Sequence, residues 1–217
     1  MAELAPLLDL FKRGGIDRDI RLMVARRELG LRPHEQLGLL ELLAGDADAE
    51  VARIATDSLR ATADAGGDAP APAPADGGDL ADGEDTASRR IASMNPAQRL
   101  ALAMRGTREE RAILVRDPNR IVAVAVLSSP RTTDAEVERI ARMANVSEDV
   151  LRIIGQARGW AKHYPIVAAL TKNPRTPVAV SLTLLSRLHE SDVKALATDR
   201  NVPDVIRLAA RRRLAPK

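Results

Sequence analysis

The sequence predicts an all-α protein whose C-terminal part consists of short helical repeats stacked as an α-solenoid. Three observations lead to this prediction. From residue 117 to residue 214 the chain repeats with a period of 28 residues. One position of each repeat holds an acid or an amide: Asp117, Asn145, Asn173 and Asn201. Each repeat also contains two short amphipathic helices, and only stacking on neighbours can bury both apolar sides.

The first helix of each repeat is predicted from an apolar pair at i and i+4, which places two side chains on one helix face. These pairs are Val122 and Val126, Val150 and Ile154, Val178 and Leu182, and Ile206 and Ala210. The second helix is predicted from apolar residues at i, i+3 and i+4: Val137, Ile140 and Ala141; Pro165, Ala168 and Ala169; and Val193, Leu196 and Ala197. We expect these side chains to form a continuous core.

This pattern resembles the HEAT-like family of helical-repeat proteins, including the short bacterial repeats called leucine-rich repeat variants. The resemblance covers about residues 95–214, and Asn-Pro-Arg-Thr-Pro-Val at residues 173–178 is the most family-like fragment. It implies a stack of helix pairs that binds a partner along one face of the solenoid. Some HEAT-like proteins resemble DNA glycosylases of the alkylation-repair type, so the resemblance also leaves an enzyme open.

Residues 1–60 are predicted to form a small helical N-terminal module. Pro33 opens an apolar helical segment that Gly45 ends, and an Asp-rich stretch then leads into another helix. A unit of this size buries at best about 60% of the surface of its unfolded chain. We therefore expect the module to pack either on the second domain or on another copy of itself.

Residues 61–88 are predicted to be a disordered linker between this module and the basic domain of residues 89–217. The stretch is mostly Ala, Asp, Gly and Pro, and it contains seven acids and no base. Such a composition has almost nothing to bury. Its Ala-Pro alternation at residues 69–75 favours extended polyproline-like conformations.

Charge is distributed unevenly along the chain. Residues 89–217 carry 24 basic and 12 acidic side chains, whereas residues 1–60 have a net charge of −2 and the linker one of −7. A domain with a net charge of +12 attracts anions such as nucleic acid, a phosphorylated partner or an acidic protein segment. Alternatively, the surplus is a solvated surface, because the arginines are spread over many positions.

Capping residues predict several helix ends. Thr107 and Thr133 each have a glutamate three residues later, the spacing of a capping box. Thr176 before Pro177 is typical of an N-cap followed by proline. The column of acids and amides falls just after the preceding helices, where these residues form turns. Some helical-repeat proteins use an asparagine ladder to hold a peptide backbone, but the position at helix ends favours the turn.

Cations precede three members of this column: Arg116, Lys172 and Arg200. If that edge faces outward, the three side chains would contact phosphates or carboxylates along an extended partner. The alternative is that cations in a last helical turn complement the helix dipole.

The segment from Trp160 to Tyr164 holds the only Trp and the only Tyr of the chain. Residues at i and i+4 share a helix face, so the two rings are predicted to form one aromatic patch beside His163. Aromatic residues often dominate binding interfaces, and they also stack on bases. The alternative is that both rings fill gaps between helices.

Catalysis, metal binding and cofactor binding have little support in the sequence. There is no cysteine, and His34, His163 and His189 are scattered without acids at metal-ligand spacing. No P-loop, dinucleotide-binding glycine pattern or nucleophile elbow is present. No run of 18 apolar residues predicts a membrane span, and no signal peptide is recognisable. We therefore predict a soluble, cytoplasmic, non-enzymatic protein.

The predicted function is a protein-interaction module or scaffold whose partner contacts Trp160, His163 and Tyr164. Arg116, Lys172 and Arg200 would supply steering charges, which suit an acidic partner. The alternative is a nucleic-acid binder that contacts phosphates without reading sequence.

Overall fold

The computed structural model describes residues 6–64 and 83–215. This part of the chain contains fourteen α-helices, one short 3-10 helix and no β-strand, which confirms the predicted all-α class. It divides into two compact units between Thr132 and Thr133, called unit 1 and unit 2 below.

The described part of unit 1 contains eight helices. They are α1 (Pro6–Lys12), α2 (Arg18–Ala25), α3 (Pro33–Leu43), α4 (Ala49–Asp64), α5 (Gly83–Ala92), α6 (Pro96–Arg105), α7 (Arg108–Leu114) and α8 (Arg120–Ser128). Helix α8 is buried on all sides from Ile121 to Ser128, and α1, α6 and α7 pack around it. A helix that is apolar all round belongs in a core, and α8 is the core helix of this unit.

The helices of the predicted N-terminal module pack on later helices of the same unit. Helix α1 packs on α8, and α2 packs on α6. The residues are thus grouped differently from the predicted domains, because these short helices bury their apolar sides against residues 96–128. Of the two alternatives for the module, packing on the following segment is the one observed within unit 1.

Both ends of the predicted linker are helical. Helix α4 continues to Asp64 and α5 begins at Gly83, so residues 61–64 and 83–88 are not part of an irregular connection. The remaining residues, 65–82, lie outside the described part of the chain, and the predicted disorder there stays a prediction.

Glu35 of α3 joins three helices inside unit 1. Its Oε1 accepts hydrogen bonds from the backbone N–H of Leu7 at 2.8 Å and from the hydroxyl of Ser128 at 3.0 Å. The residue is fully buried, and its Oε2 has no hydrogen-bond partner in the described structure. Burial raises the pKa of the Glu35 carboxyl, and the two donors oppose this only in part.

An Asp–Arg pair with the same local geometry occurs twice in unit 1. Asp46 and Asp117 each follow a helix, and each accepts a hydrogen bond from the backbone N–H two residues later, at 2.9 and 2.7 Å. Arg21 pairs with Asp46, and Arg99 lies 2.7 Å from Asp117. Each pair ties a turn to an earlier helix. The two Asp–Arg pairs are not separated by a multiple of 28 residues, so the sequence repeat does not predict that they are alike.

The described part of unit 2 contains six α-helices and the 3-10 helix Trp160–Lys162. The α-helices are α9 (Asp134–Arg142), α10 (Glu148–Gln156), α11 (Tyr164–Lys172), α12 (Val178–Leu185), α13 (Glu190–Thr198) and α14 (Asp204–Leu214). Helix α9 packs on α11, while α10 packs on α12 and α12 packs on α14. The even-numbered helices therefore form one row.

The predicted core positions are buried in most helices, but not in α11 and α12. Leu182 is 39% exposed and Pro165 is exposed, although both stand in predicted core columns. Helix α12 begins five residues after its column residue Asn173, whereas α10 and α14 begin three residues after theirs. Because α12 begins later, a different side of the helix is buried, and this side consists of Val180, Ser181, Leu184 and Leu185.

Helix capping follows the sequence at most predicted sites. Thr107 and Thr133 form capping boxes, and Asn95 forms another with Gln98. The predicted N-cap at Thr176 is wrong. Pro177 occupies the cap position of α12, and the buried Thr176 hydroxyl has no hydrogen-bond partner in the described structure.

Candidate functional site

Trp160 and Tyr164 do not share one helix. Trp160 is buried, with 8% exposure, in the 3-10 helix, and Tyr164 begins α11. His163 between them is extended (φ −84°, ψ 107°), as expected for the N-cap residue of α11. The ring that Tyr164 contacts is that of His189, at 4.2 Å between centroids. The prediction of a single-helix aromatic patch is therefore wrong.

Tyr164 instead connects α11 to α13. Its hydroxyl donates a hydrogen bond to Asp192 and accepts one from the His189 backbone N–H at 3.2 Å. Lys172 Nζ lies 2.7 Å from the other carboxylate oxygen of Asp192. These two donors lower the pKa of the Asp192 carboxyl. The tyrosine and the lysine, both predicted to contact a partner, thus have structural contacts in unit 2.

The remaining predicted residues have different surroundings. His163 Nε2 lies 3.3 Å from Asp134 Oδ2. Arg116 Nε donates to the Ala112 carbonyl at 2.9 Å, a contact with its own last helical turn that agrees with the dipole alternative. Arg200 is exposed, and its role in binding stays a prediction.

Many other arginines also bind backbone carbonyls near helix ends. In each case the arginine side chain donates to a backbone carbonyl at 2.8 to 3.0 Å: Arg111 to Gly106, Arg131 to Arg105, Arg187 to Ala161, Arg211 to Ala197, and Arg213 to Leu188. Carbonyls at helix C-termini lack partners within the helix, and arginine satisfies them. Part of the positive charge of residues 89–217 therefore has a structural role.

The row formed by α10, α12 and α14 has an exposed surface that the sequence did not predict. It contains three of the large apolar side chains that are exposed in the described structure: Leu182 at 39%, Val205 at 54% and Leu208 at 50%. Leu182 lies on α12, and the other two lie on the side of α14 away from its buried Ile206 and Ala210. We call these three side chains the apolar patch.

A cavity of about 560 Å³ lies between the end of α10, the 3-10 helix and α12, the helix that also carries Leu182. Its apolar walls come from Gly155, Ala161, Ala179, Val180 and Leu184, and its polar walls from Gln156, Arg158, Lys162, Thr183 and Arg187. We call this cavity the cationic pocket. Three of its lining residues are basic and none is acidic.

Close helix packing and a short turn shape the cationic pocket. A Cβ on Gly155 would fall well inside contact distance of Val180 Cγ1, so glycine is what allows α10 and α12 to approach here. The buried side chain of Trp160 holds the 3-10 helix against the unit, and this places Lys162 at the pocket. Arg187 Nη1 donates to the Ala161 carbonyl at 2.9 Å, which orients the guanidinium group.

The cations of the pocket lack acidic partners. No carboxylate of the described residues pairs with Arg158, Lys162 or Arg187, whereas other cations of unit 2 do have partners. Examples are Arg152 with Asp149 at 2.7 Å and Lys194 with Glu190 at 2.6 Å. Unpaired cations around an apolar cavity are suited to an anion that brings apolar surface with it.

Residues 6–64 and 83–215 contain no group of three or more His, Cys, Asp or Glu side chains placed to hold a metal ion. None of the described helices combines the length and the apolar character that crossing a membrane requires. A scan against known protein families gives no match, and neither curated proteins nor solved structures include one that matches this chain.

Proposed function

We propose that this protein is a non-enzymatic, HEAT-like interaction module that binds an acidic, partly apolar segment of a partner protein. The segment lies on the row of α10, α12 and α14. The observation that supports this most directly is that α12 lines the cationic pocket and also carries the exposed Leu182, while α14, which packs on α12, carries the exposed Val205 and Leu208. Apolar contact supplies most of the affinity, and the unpaired cations select an acidic partner and speed its approach.

Nucleic acid is the competing ligand, because residues 89–217 are strongly basic. The apolar patch argues for a peptide, since exposed leucine and valine side chains add nothing to contacts with a phosphate backbone. In addition, several arginines already donate to helix carbonyls, which reduces the number available for phosphate contacts.

The test is a binding titration with three labelled probes and the full-length protein. The first probe is a short peptide of Leu, Ala, Glu and Asp, the second has Lys in place of every acid, and the third is a DNA duplex. Fluorescence anisotropy is measured at low and physiological salt. We expect the acidic peptide to bind and the basic peptide not to bind.

The apolar patch is tested with the double variant Leu182→Ser and Leu208→Ser. Each leucine has about half of its surface left to bury, which is worth roughly 1 kcal/mol per residue. The acidic peptide is therefore expected to bind roughly 30-fold more weakly. Leu37→Ser is the matched control, because Leu37 is 43% exposed but lies on α3 of unit 1.

The proposal is wrong if the acidic peptide does not bind while the DNA duplex binds with a steep loss of affinity in salt. It is also wrong if Leu37→Ser weakens peptide binding as much as the double variant does.

A further inference from the structure

The cationic pocket has more positive charge and more hydrogen-bond donors than a single carboxylate needs. Arg158, Lys162 and Arg187 contribute three positive charges, and Gln156 adds a neutral amide donor. The Thr183 hydroxyl donates its proton to the Ala179 carbonyl at 3.0 Å and is not counted. A carboxylate has one negative charge and two oxygens in one plane. It would leave two of the three cations without compensation.

Two of the three cations are free of the structural roles that explain other basic residues, and the third, Arg187, is only partly engaged in one. Arg158 and Lys162 make no hydrogen bond to a carbonyl or a carboxylate in the described structure, unlike Arg211 and Arg213 at the end of the unit. Arg187 uses one N–H group for the Ala161 carbonyl, and its other N–H groups remain for a ligand.

We propose that the cationic pocket binds the phosphoryl group of a phosphoserine or phosphothreonine in the partner segment. This inference rests on the proposed function and adds phosphorylation as its control. A phosphoryl group has a charge of about −1.5 to −2 at neutral pH and three strong acceptor oxygens. It therefore matches the three cations and the Gln156 amide better than Asp or Glu does.

The walls of the pocket favour a phosphorylated side chain over a free phosphate ion. Val180 and Leu184 give the cavity an apolar floor, against which the stem of a side chain can pack. Its volume of about 560 Å³ is larger than one phosphate ion requires. Leu182 lies on the same helix as the pocket residue Thr183 and is 39% exposed, so it offers apolar surface to the residues that flank the phosphate.

The experiment compares three pools of labelled peptides with the same degenerate acidic and apolar flanks. The central residue is Ser, Glu or phosphoserine. Binding to the full-length protein is measured by anisotropy. We expect the phosphoserine pool to bind roughly tenfold more tightly than the Ser pool, because a doubly charged group makes two or three charge-assisted hydrogen bonds. The Glu pool should fall between them.

The double variant Arg158→Gln and Lys162→Gln should abolish the preference for phosphoserine. The Ser pool should also bind more weakly, because the same cations attract its acidic flanks, but by a smaller factor than the phosphoserine pool. Neither side chain has a hydrogen bond that holds the fold, and an unchanged thermal unfolding curve by circular dichroism would confirm this. The control is Arg139→Gln with Arg175→Gln, which removes two exposed cations of unit 2 that do not line the pocket. This control should keep the preference.

The outcomes separate this inference from the proposed function. Equal binding of the Ser and phosphoserine pools would overturn the inference and leave the proposed function intact. Failure of all three pools to bind would overturn both. If inorganic phosphate alone competes as effectively as the phosphoserine pool, the pocket binds a free anion and the inference is overturned.

Discussion

Replacement of Asn173 by Ala tests whether burial gives this asparagine a structural role that the asparagines at the same repeat position, Asn145 and Asn201, do not have. Asn173 is 5% exposed. Its Nδ2 donates to the carbonyls of Ala141 and Met143 at 2.7 and 2.9 Å, and its Oδ1 accepts from the Arg175 backbone N–H at 2.9 Å. The side chain thereby connects the end of α9 to the turn before α12.

The expected loss of stability follows from these three hydrogen bonds. Each is worth about 0.5–1.5 kcal/mol net, and a buried carbonyl left without a donor costs more. We expect Asn173→Ala to lower the free energy of unfolding by about 3 kcal/mol. The backbone of Asn173 is extended (φ −83°, ψ 120°), so alanine introduces no strain of its own.

The assay is urea unfolding of the full-length protein followed by Trp160 fluorescence. Trp160 is the only tryptophan and is buried in unit 2, so its emission reports on the unit that contains Asn173. The matched control is Asn201→Ala, because Asn201 occupies the same column but is exposed. Its replacement should change stability by less than about 0.5 kcal/mol.

Asn173→Asp extends the comparison. The aspartate keeps the oxygen that accepts the Arg175 backbone N–H. Its second carboxylate oxygen, however, replaces the amide donor and faces the carbonyl oxygens of Ala141 and Met143, which repel it. We therefore expect it to be at least as destabilising as Asn173→Ala at neutral pH, and less so once acid protonates it. The reasoning is refuted if Asn173→Ala and Asn201→Ala have the same effect, since burial of the side chain would then not matter.

Two further predictions concern buried positions. Because burial raises the pKa of Glu35 in the folded protein, the folded state binds a proton at a higher pH than the unfolded state does. The parent protein should therefore gain stability relative to Glu35→Gln as pH falls from neutral through the raised pKa to the ordinary value, and a flat difference in unfolding by circular dichroism would contradict this. Gly155→Ala should lower stability by about 1–3 kcal/mol because its Cβ meets Val180. Adding Val180→Ala should recover part of this loss in the Trp160 unfolding assay, and a further drop would contradict the steric explanation.

Local signals in the sequence were sufficient for most helices. The capping residues Thr107 and Thr133 begin helices as predicted, since a hydroxyl and a glutamate three residues apart satisfy the first N–H groups wherever the helix packs. The spacing of apolar residues likewise predicted the buried sides of α10 and α14, where Val150, Ile154 and Ile206 are core residues.

The candidate site could not be predicted in the same way. The cationic pocket combines Arg158 and Lys162, from the turn and 3-10 helix after α10, with Arg187, which follows α12, and no motif relates these two segments. Leu182 was assigned to the core by its column, but the register of α12 depends on where that helix begins. Asn173, Asn145 and Asn201 look alike in sequence, yet only Asn173 is buried.

The sequence by itself determined the all-α class, several helix ends and the position of the column residues in the connections between helices. These features depend on contacts within a few residues, and the residues concerned are adjacent in the chain. The tertiary structure alone decided which arginines bind helix carbonyls, which cations remain unpaired and which apolar side chains stay exposed. Those outcomes depend on how the helices are oriented and how closely they pack. At Gly155, for example, one added Cβ atom would collide with Val180 and prevent the close approach of α10 and α12.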